Sequence, residues 1–108
     1  MQFEFGNLIG SYFTEWRILL LKDLARQIFK KIPKVSLFKI WYDAINDYHK
    51  LEFAYNSKHI LVWYYKVLSC SIDGKNELIG CPIHDQNKFV NKITNKITQL
   101  CELPNETN

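Results

Sequence analysis

The chain has 108 residues, the usual length of one domain. Hydrophobic residues make up 47% and charged residues 23%, a balance that excludes a disordered chain, because such chains lack the apolar content to form a core. Aromatic residues reach 15%, glycine and proline are scarce, and the formal net charge of +3 is modest, so collagen-like and low-complexity classes are excluded as well.

We expect a single globular domain over residues 1–104 and a loose polar tail over residues 105–108. No apolar run approaches the roughly 20 residues that a membrane-spanning helix needs. The first six residues lack the basic and apolar regions of a signal peptide. The three cysteines form no dense disulfide framework, so reduced thiols are expected. These features predict a cytoplasmic protein without a membrane span.

The first predicted element is a helix over residues 14–32. Thr14 is a suitable N-cap, and Pro33 stops the helix. The apolar residues follow the 3.6-residue helical period, and they are Trp16, Leu20, Leu21, Leu24, Ile28 and Ile32.

A second helix is predicted over residues 36–55, with Ser36 as its N-cap. Apolar residues recur there at alternating steps of four and three, and they are Leu37, Trp41, Ala44, Tyr48, Leu51 and Tyr55. This phase places Trp41 in the core, where replacement by alanine is expected to cost about 3 to 5 kcal/mol.

Residues 58–69 fit either a helix or a strand. The spacing of their apolar residues suits a helix capped by Ser57, whereas their many β-branched and aromatic side chains favour a strand. Asp73 and Gly74 are typical of a tight turn. A small β-hairpin around residues 59–80 is therefore an alternative.

The last predicted helix covers residues 85–102, from a cap at Asp85 to a stop at Pro104. Its apolar face consists of Phe89, Ile93, Ile97 and Leu100. Three helices and the ambiguous segment predict a mainly α fold, a compact bundle of three to four helices. An α+β fold that contains the hairpin is the alternative.

Cys81 and His84 form the tightest cluster of reactive residues, together with Asp85. A Cys-x-x-His pair can supply two zinc ligands, but structural zinc sites usually contain two such pairs and this chain has one. Thiol catalysis needs an imidazole within about 3 Å, and no glycine-rich phosphate loop is present. We therefore predict no metal, no cofactor and no catalytic residue. Elemental analysis would test whether Cys81 and His84 bind a metal.

A basic stripe is the main functional signal. Residues 17–39 contain seven basic residues and one acid, and the first helix places three of the basic residues at helical spacing. The predicted partner-binding residues are the stripe and two tyrosines outside the apolar faces: Lys22, Arg26, Lys30, Lys34, Tyr42 and Tyr65. We predict a protein-binding module for a partner with an acidic surface, acting as an inhibitor, antitoxin, immunity-type protein or accessory subunit. The alternative is nucleic-acid binding by the same basic face.

Overall fold

The computed structural model describes residues 1–8 and 14–102. In chain order, the elements are β1 (Gln2–Phe5), α1 (Thr14–Lys31), β2 (Leu37–Asp43), β3 (Tyr48–Tyr55), β4 (Lys58–Tyr65), β5 (Val67–Ile72), β6 (Lys75–Cys81), a 3-10 turn (Ile83–Asp85) and α2 (Gln86–Glu102). The tail predicted over residues 105–108, the side-chain cap predicted for Thr14 and the thiol of Cys101 lie outside this description.

The described strands form one mixed sheet whose spatial order follows the chain order from β1 to β6. β1 and β2 are parallel, and α1 connects them, as parallel pairing requires a crossover. Every later neighbour is antiparallel, so β2 to β6 form a meander. α1 contacts β2, β3 and β4, and α2 contacts β5, β6 and α1.

The prediction of a mainly α bundle is wrong, since residues 36–55 form the hairpin of β2 and β3 instead of a helix. Phe38 and Ile40 are buried on β2, and Leu51 and Phe53 are buried on β3. This period-two burial is the strand repeat. The helical spacing mixed residues from both faces of the sheet with residues of the connecting turn.

Residues 58–72 form two strands, β4 and β5, which turn at Lys66. Their β-branched and aromatic composition was therefore the better guide than their helical spacing. Asp73 and Gly74 form the turn between β5 and β6 with positive φ angles of 51° and 81°, a backbone that glycine tolerates at little cost. The two outer predicted helices correspond to α1 and α2.

The core lies between the two helices and one face of the sheet. α1 contributes Leu21, Leu24 and Ile28, and α2 contributes Phe89 and Ile93, all at most 1% exposed. Apolar burial of this kind supplies most of the stability of a small domain. Apart from the buried Ser69 and Ser71, side chains of the opposite face are half-buried or exposed, and Trp41 is among the half-buried ones.

The two aromatic residues Phe38 and Trp41 test this assignment of faces. Phe38 is 0% exposed, with ring centroids of Phe53 at 5.2 Å and Phe3 at 6.2 Å. Replacing Phe38 by alanine should lower the free energy of unfolding by about 3 to 5 kcal/mol. Trp41→Ala should cost about 1 to 2 kcal/mol, because that side chain is already partly in water. Urea denaturation of both variants measures the difference, and equal costs would contradict the assignment.

Candidate functional site

The second face of the sheet, which we call the open face, is not covered by α1 or α2. Because side chains alternate along a strand, its residues are the neighbours of the buried ones. They are Leu37, Lys39, Trp41 and Asp43 on β2, Tyr48, Lys50, Glu52 and Ala54 on β3, His59, Leu61, Trp63 and Tyr65 on β4, and Val67, Ser69 and Ser71 on β5.

Four large aromatic side chains occupy one end of the open face. The rings of Tyr48 and Trp63 stack with centroids 6.0 Å apart, and Tyr65 lies 6.1 Å from Tyr48. Lys50 is the cross-strand partner of both Trp41 and Trp63, so the two indoles flank it. Tyr65 is 50% exposed. We call Trp41, Tyr48, Trp63 and Tyr65 the aromatic cluster.

Lys50 is held inside this cluster by aromatic rings and one carboxylate. Its Nζ lies 5.2 Å from the ring centroid of Trp41 and 5.4 Å from that of Tyr48, within cation–π range. The same Nζ is 3.0 Å from Oδ2 of Asp43, and the two side chains are only 14% and 12% exposed. Hydrogen bonds from Asn46 and Lys50 outweigh the effect of burial and lower the pKa of Asp43 to about 2. The pair is therefore ionised and neutral in sum.

A second polar group on the open face centres on Glu52. Its Oε1 accepts a hydrogen bond of 2.9 Å from Nε1 of Trp41, and its Oε2 lies 2.7 Å from Nε2 of His59. Although partial burial raises the pKa of Glu52, the hydrogen bonds from His59 and Trp41 bring it below its ordinary value. These contacts fix the orientation of the Trp41 indole at the surface.

The open face continues into a groove of about 320 Å³ at the end where β2 begins. Leu37, Lys39 and His59 line this groove, and Lys34 contributes from the segment before β2. Leu37 is 47% exposed. Among the four basic residues that were predicted to bind a partner, Lys34 is the one that borders the open face.

The structure does not bring the six predicted partner-binding residues to one surface. Lys22, Arg26 and Lys30 lie on α1, on the other side of the sheet from Tyr65. Tyr42 lies on the same face of β2 as the buried Phe38 and Ile40, and it is half-buried. Its hydroxyl donates a 2.6 Å hydrogen bond to Oδ1 of Asp47. Tyr65 alone of the two tyrosines is exposed on the open face.

Sequence analysis missed Trp41, Tyr48 and Trp63 as surface residues. The helical phase of residues 36–55 assigned the first two to a core. The available signal was the alternation through Phe38 and Ile40, which leaves Trp41 on the opposite face.

The reactive residues near Cys81 do not form a site within the described part of the chain. Cys81 is buried, whereas the side chain of His84 is 78% exposed. Residues 1–8 and 14–102 contain no group of three or more His, Cys, Asp and Glu side chains that could hold a metal ion. Burial raises the pKa of the Cys70 thiol to about 12, so its reactive thiolate is not populated at neutral pH.

Neither α1 nor α2 is long and apolar enough to span a bilayer.

The buried His49 makes stability depend on pH. It is 1% exposed, its Nε2 lies 3.3 Å from the carbonyl oxygen of Leu8, and its Nδ1 has no hydrogen-bond partner. Burial lowers the pKa of His49 below 6.5. As the pH falls, the His49 imidazole is therefore protonated at a higher pH in the unfolded chain than in the folded protein. The free energy of unfolding should then fall as the pH drops below about 6.5.

Urea denaturation between pH 7.5 and pH 5, on the order of the range over which a histidine titrates, measures this effect. In the His49→Gln variant, which keeps a polar side chain without a titrating group, the decline should be shallower. An unchanged slope would show that other groups cause the acid sensitivity.

Comparison with protein-family models, with curated proteins and with solved structures found no match to this chain.

Proposed function

We propose that the protein is a small, non-enzymatic, cytoplasmic protein-binding module that docks its partner on the open face, as an inhibitor or accessory subunit. The aromatic cluster carries this proposal. On an antiparallel sheet with one solvated face, the outward residues are ordinarily polar. Here Trp41, Trp63 and Tyr65 occupy such positions.

Aromatic side chains at a surface are suited to protein recognition. Tryptophan and tyrosine bury a large area at a small cost in conformational entropy, and they dominate the binding energy of interfaces. The contacts of Trp41 with Glu52, and of Tyr48 with Trp63, hold these rings in place before a partner arrives. Preorganised side chains lose less entropy on binding, which favours affinity.

The charge pattern favours a protein over a nucleic acid on this face. Asp43 balances Lys50 at 3.0 Å, and Glu52 lies 2.7 Å from His59. These pairs therefore add no excess of positive charge beside the aromatic rings, whereas nucleic-acid affinity depends on such an excess. Base stacking on the rings is the competing use of this surface.

The cytoplasmic part of the proposal is supported by the thiols. Cys70 and Cys81 are free and buried. Free buried cysteines are usual in a reducing compartment, and they pack as small apolar side chains.

Alanine variants at the aromatic cluster test the proposal. A lysate of cells that naturally express the protein is passed over the immobilised wild-type protein, and the retained proteins are identified. Each candidate partner is then purified and its affinity is measured by titration. Trp63→Ala and Tyr65→Ala should each weaken binding about thirtyfold, mainly through faster dissociation, as expected for an interface hot spot. Ile45→Ala is the matched control, because Ile45 is an apolar residue in the β2–β3 turn and is 94% exposed.

Two results would contradict the proposal. One is a purified partner whose affinity is the same for Trp63→Ala, Tyr65→Ala and Ile45→Ala. The other is retention that is abolished by nuclease and restored by a single-stranded oligonucleotide, which would assign the aromatic cluster to base stacking.

A further inference from the structure

In the described part of the chain, no strand pairs with the outer edge of β1, which presents hydrogen-bonding groups. The amide of Gln2 donates to the Ser36 carbonyl oxygen at 2.7 Å, and that of Gly6 donates to the Ile40 carbonyl oxygen at 2.9 Å. In a parallel ladder, alternate residues of a strand face the neighbour. The N–H and C=O groups of Phe3 and Phe5 therefore point away from β2, and no described strand lies on that side of β1.

Basic side chains of α1 reach over this edge. Nζ of Lys22 lies 5.8 Å from the ring centroid of Phe3 and 5.2 Å from that of Phe5, and the Arg26 guanidinium carbon lies 6.0 Å from that of Phe3. The Phe3 ring also contacts Phe38 at 6.2 Å, which places both phenylalanines on the helix side of the sheet. Phe5 is 45% exposed. The edge therefore combines exposed aromatic surface with positive charge.

The opposite edge of the sheet is less suited to pairing. β6 shifts its register against β5 at two points, and Gly80 has a φ angle of 90°. Such irregularities bend a strand and discourage the addition of another one. The register of β1 with β2 runs without a shift from Gln2 to Phe5.

We propose that β1 receives an extended segment of another protein as an added strand, and that this segment carries acidic side chains at alternate positions. The backbone of the segment pairs with the free N–H and C=O groups of Phe3 and Phe5. Its residues that point to the helix side meet Lys22 and Arg26. Backbone bonds supply affinity in this mode of recognition, and alternate side chains supply specificity.

The charges also disfavour a second copy as the occupant. Antiparallel pairing of two β1 edges would bring Lys22 and Arg26 of both copies together, and like charges in such proximity are unfavourable. Two carboxylates lie near this edge: Asp23 is 3.3 Å from Arg26 and shares its charge, and Glu4 on β1 alternates to the open face, away from Lys22 and Arg26. This edge is separate from the open face, so the inference goes beyond the proposed function and does not depend on it.

Synthetic peptides test this inference with the full-length protein. The probe is an eight-residue peptide with glutamate at alternate positions and threonine or valine between them. Its controls are the same peptide with lysine in place of glutamate, and the glutamate peptide with alternate backbone amides methylated. Calorimetric titration measures affinity, and amide hydrogen exchange measures protection of Phe3 and Phe5.

Two pairs of variants separate the contributions of charge and backbone. Lys22→Glu with Arg26→Glu should weaken the glutamate peptide about tenfold, whereas Lys88→Glu with Lys92→Glu makes the same change of charge on exposed residues of α2 and should have little effect. Phe5→Pro removes an outward N–H that Phe5→Ala retains, so the proline variant should bind more weakly than the alanine variant. Circular dichroism confirms that the variants are folded.

Binding of the glutamate peptide alone, with slower exchange at Phe3 and Phe5, would support the inference. Four results would overturn it: no binding of the glutamate peptide, equal binding of the methylated peptide, equal affinities of Phe5→Pro and Phe5→Ala, or self-association that protects the same two amides. Tighter binding of an oligodeoxythymidine through Lys22 and Arg26 would assign the basic edge to nucleic acid instead.

Discussion

The coverage of only one sheet face by α1 and α2 determines the chemistry of both sides. Each strand residue points either toward the helices or toward the open face, because the side-chain period of a strand is two. Phe38, Ile40 and Leu51 face the helices and are fully buried. Their neighbours Trp41 and Lys50 must then lie on the open face. The aromatic cluster is thus a direct consequence of the register that buries the core.

Two groups of polar side chains on the open face are already paired in the unbound protein. Lys50 is surrounded by Trp41, Tyr48 and Asp43, and Glu52 accepts hydrogen bonds from Trp41 and His59. Charges that are already paired need no new partner when a docking protein excludes water. The desolvation cost of covering this face is therefore reduced, while the apolar area of the rings remains available for burial.

The sequence was informative where one periodicity acted alone. Leu24 and Ile28, and likewise Phe89 and Ile93, repeat at helical spacing on helices that bury a single stripe, so α1 and α2 were predictable. Residues 36–55 carry apolar side chains on both faces of the sheet. The predicted helical spacing combined Trp41 and Tyr48 of the open face with Leu51 of the buried face, although these side chains point in opposite directions. The strand assignment needed the pairing of β2 with β3, which is a property of the folded chain.

The same difficulty hid the candidate site. Tyr65 was predicted as an exposed anchor because it fell outside the helical stripe, but the ring that it contacts, Tyr48, comes from β3. Lys22 and Arg26 belong to a local excess of positive charge that is visible in the sequence. Their proximity to Phe3 and Phe5 could not be read from the sequence, since 16 residues lie between Phe5 and Lys22 along the chain.

The residues of the two proposed binding surfaces also stabilise the fold. The stacked Tyr48 and Trp63 and the pair of Asp43 with Lys50 are cross-strand contacts of the kind that stabilise a sheet. The Phe3 ring, similarly, both packs on Phe38 and lies under Lys22. A substitution at either surface therefore acts on folding as well as on binding. Tyr65 on the open face and Phe5 on the β1 edge are about half exposed, so variants at these two positions best separate an effect on binding from an effect on folding.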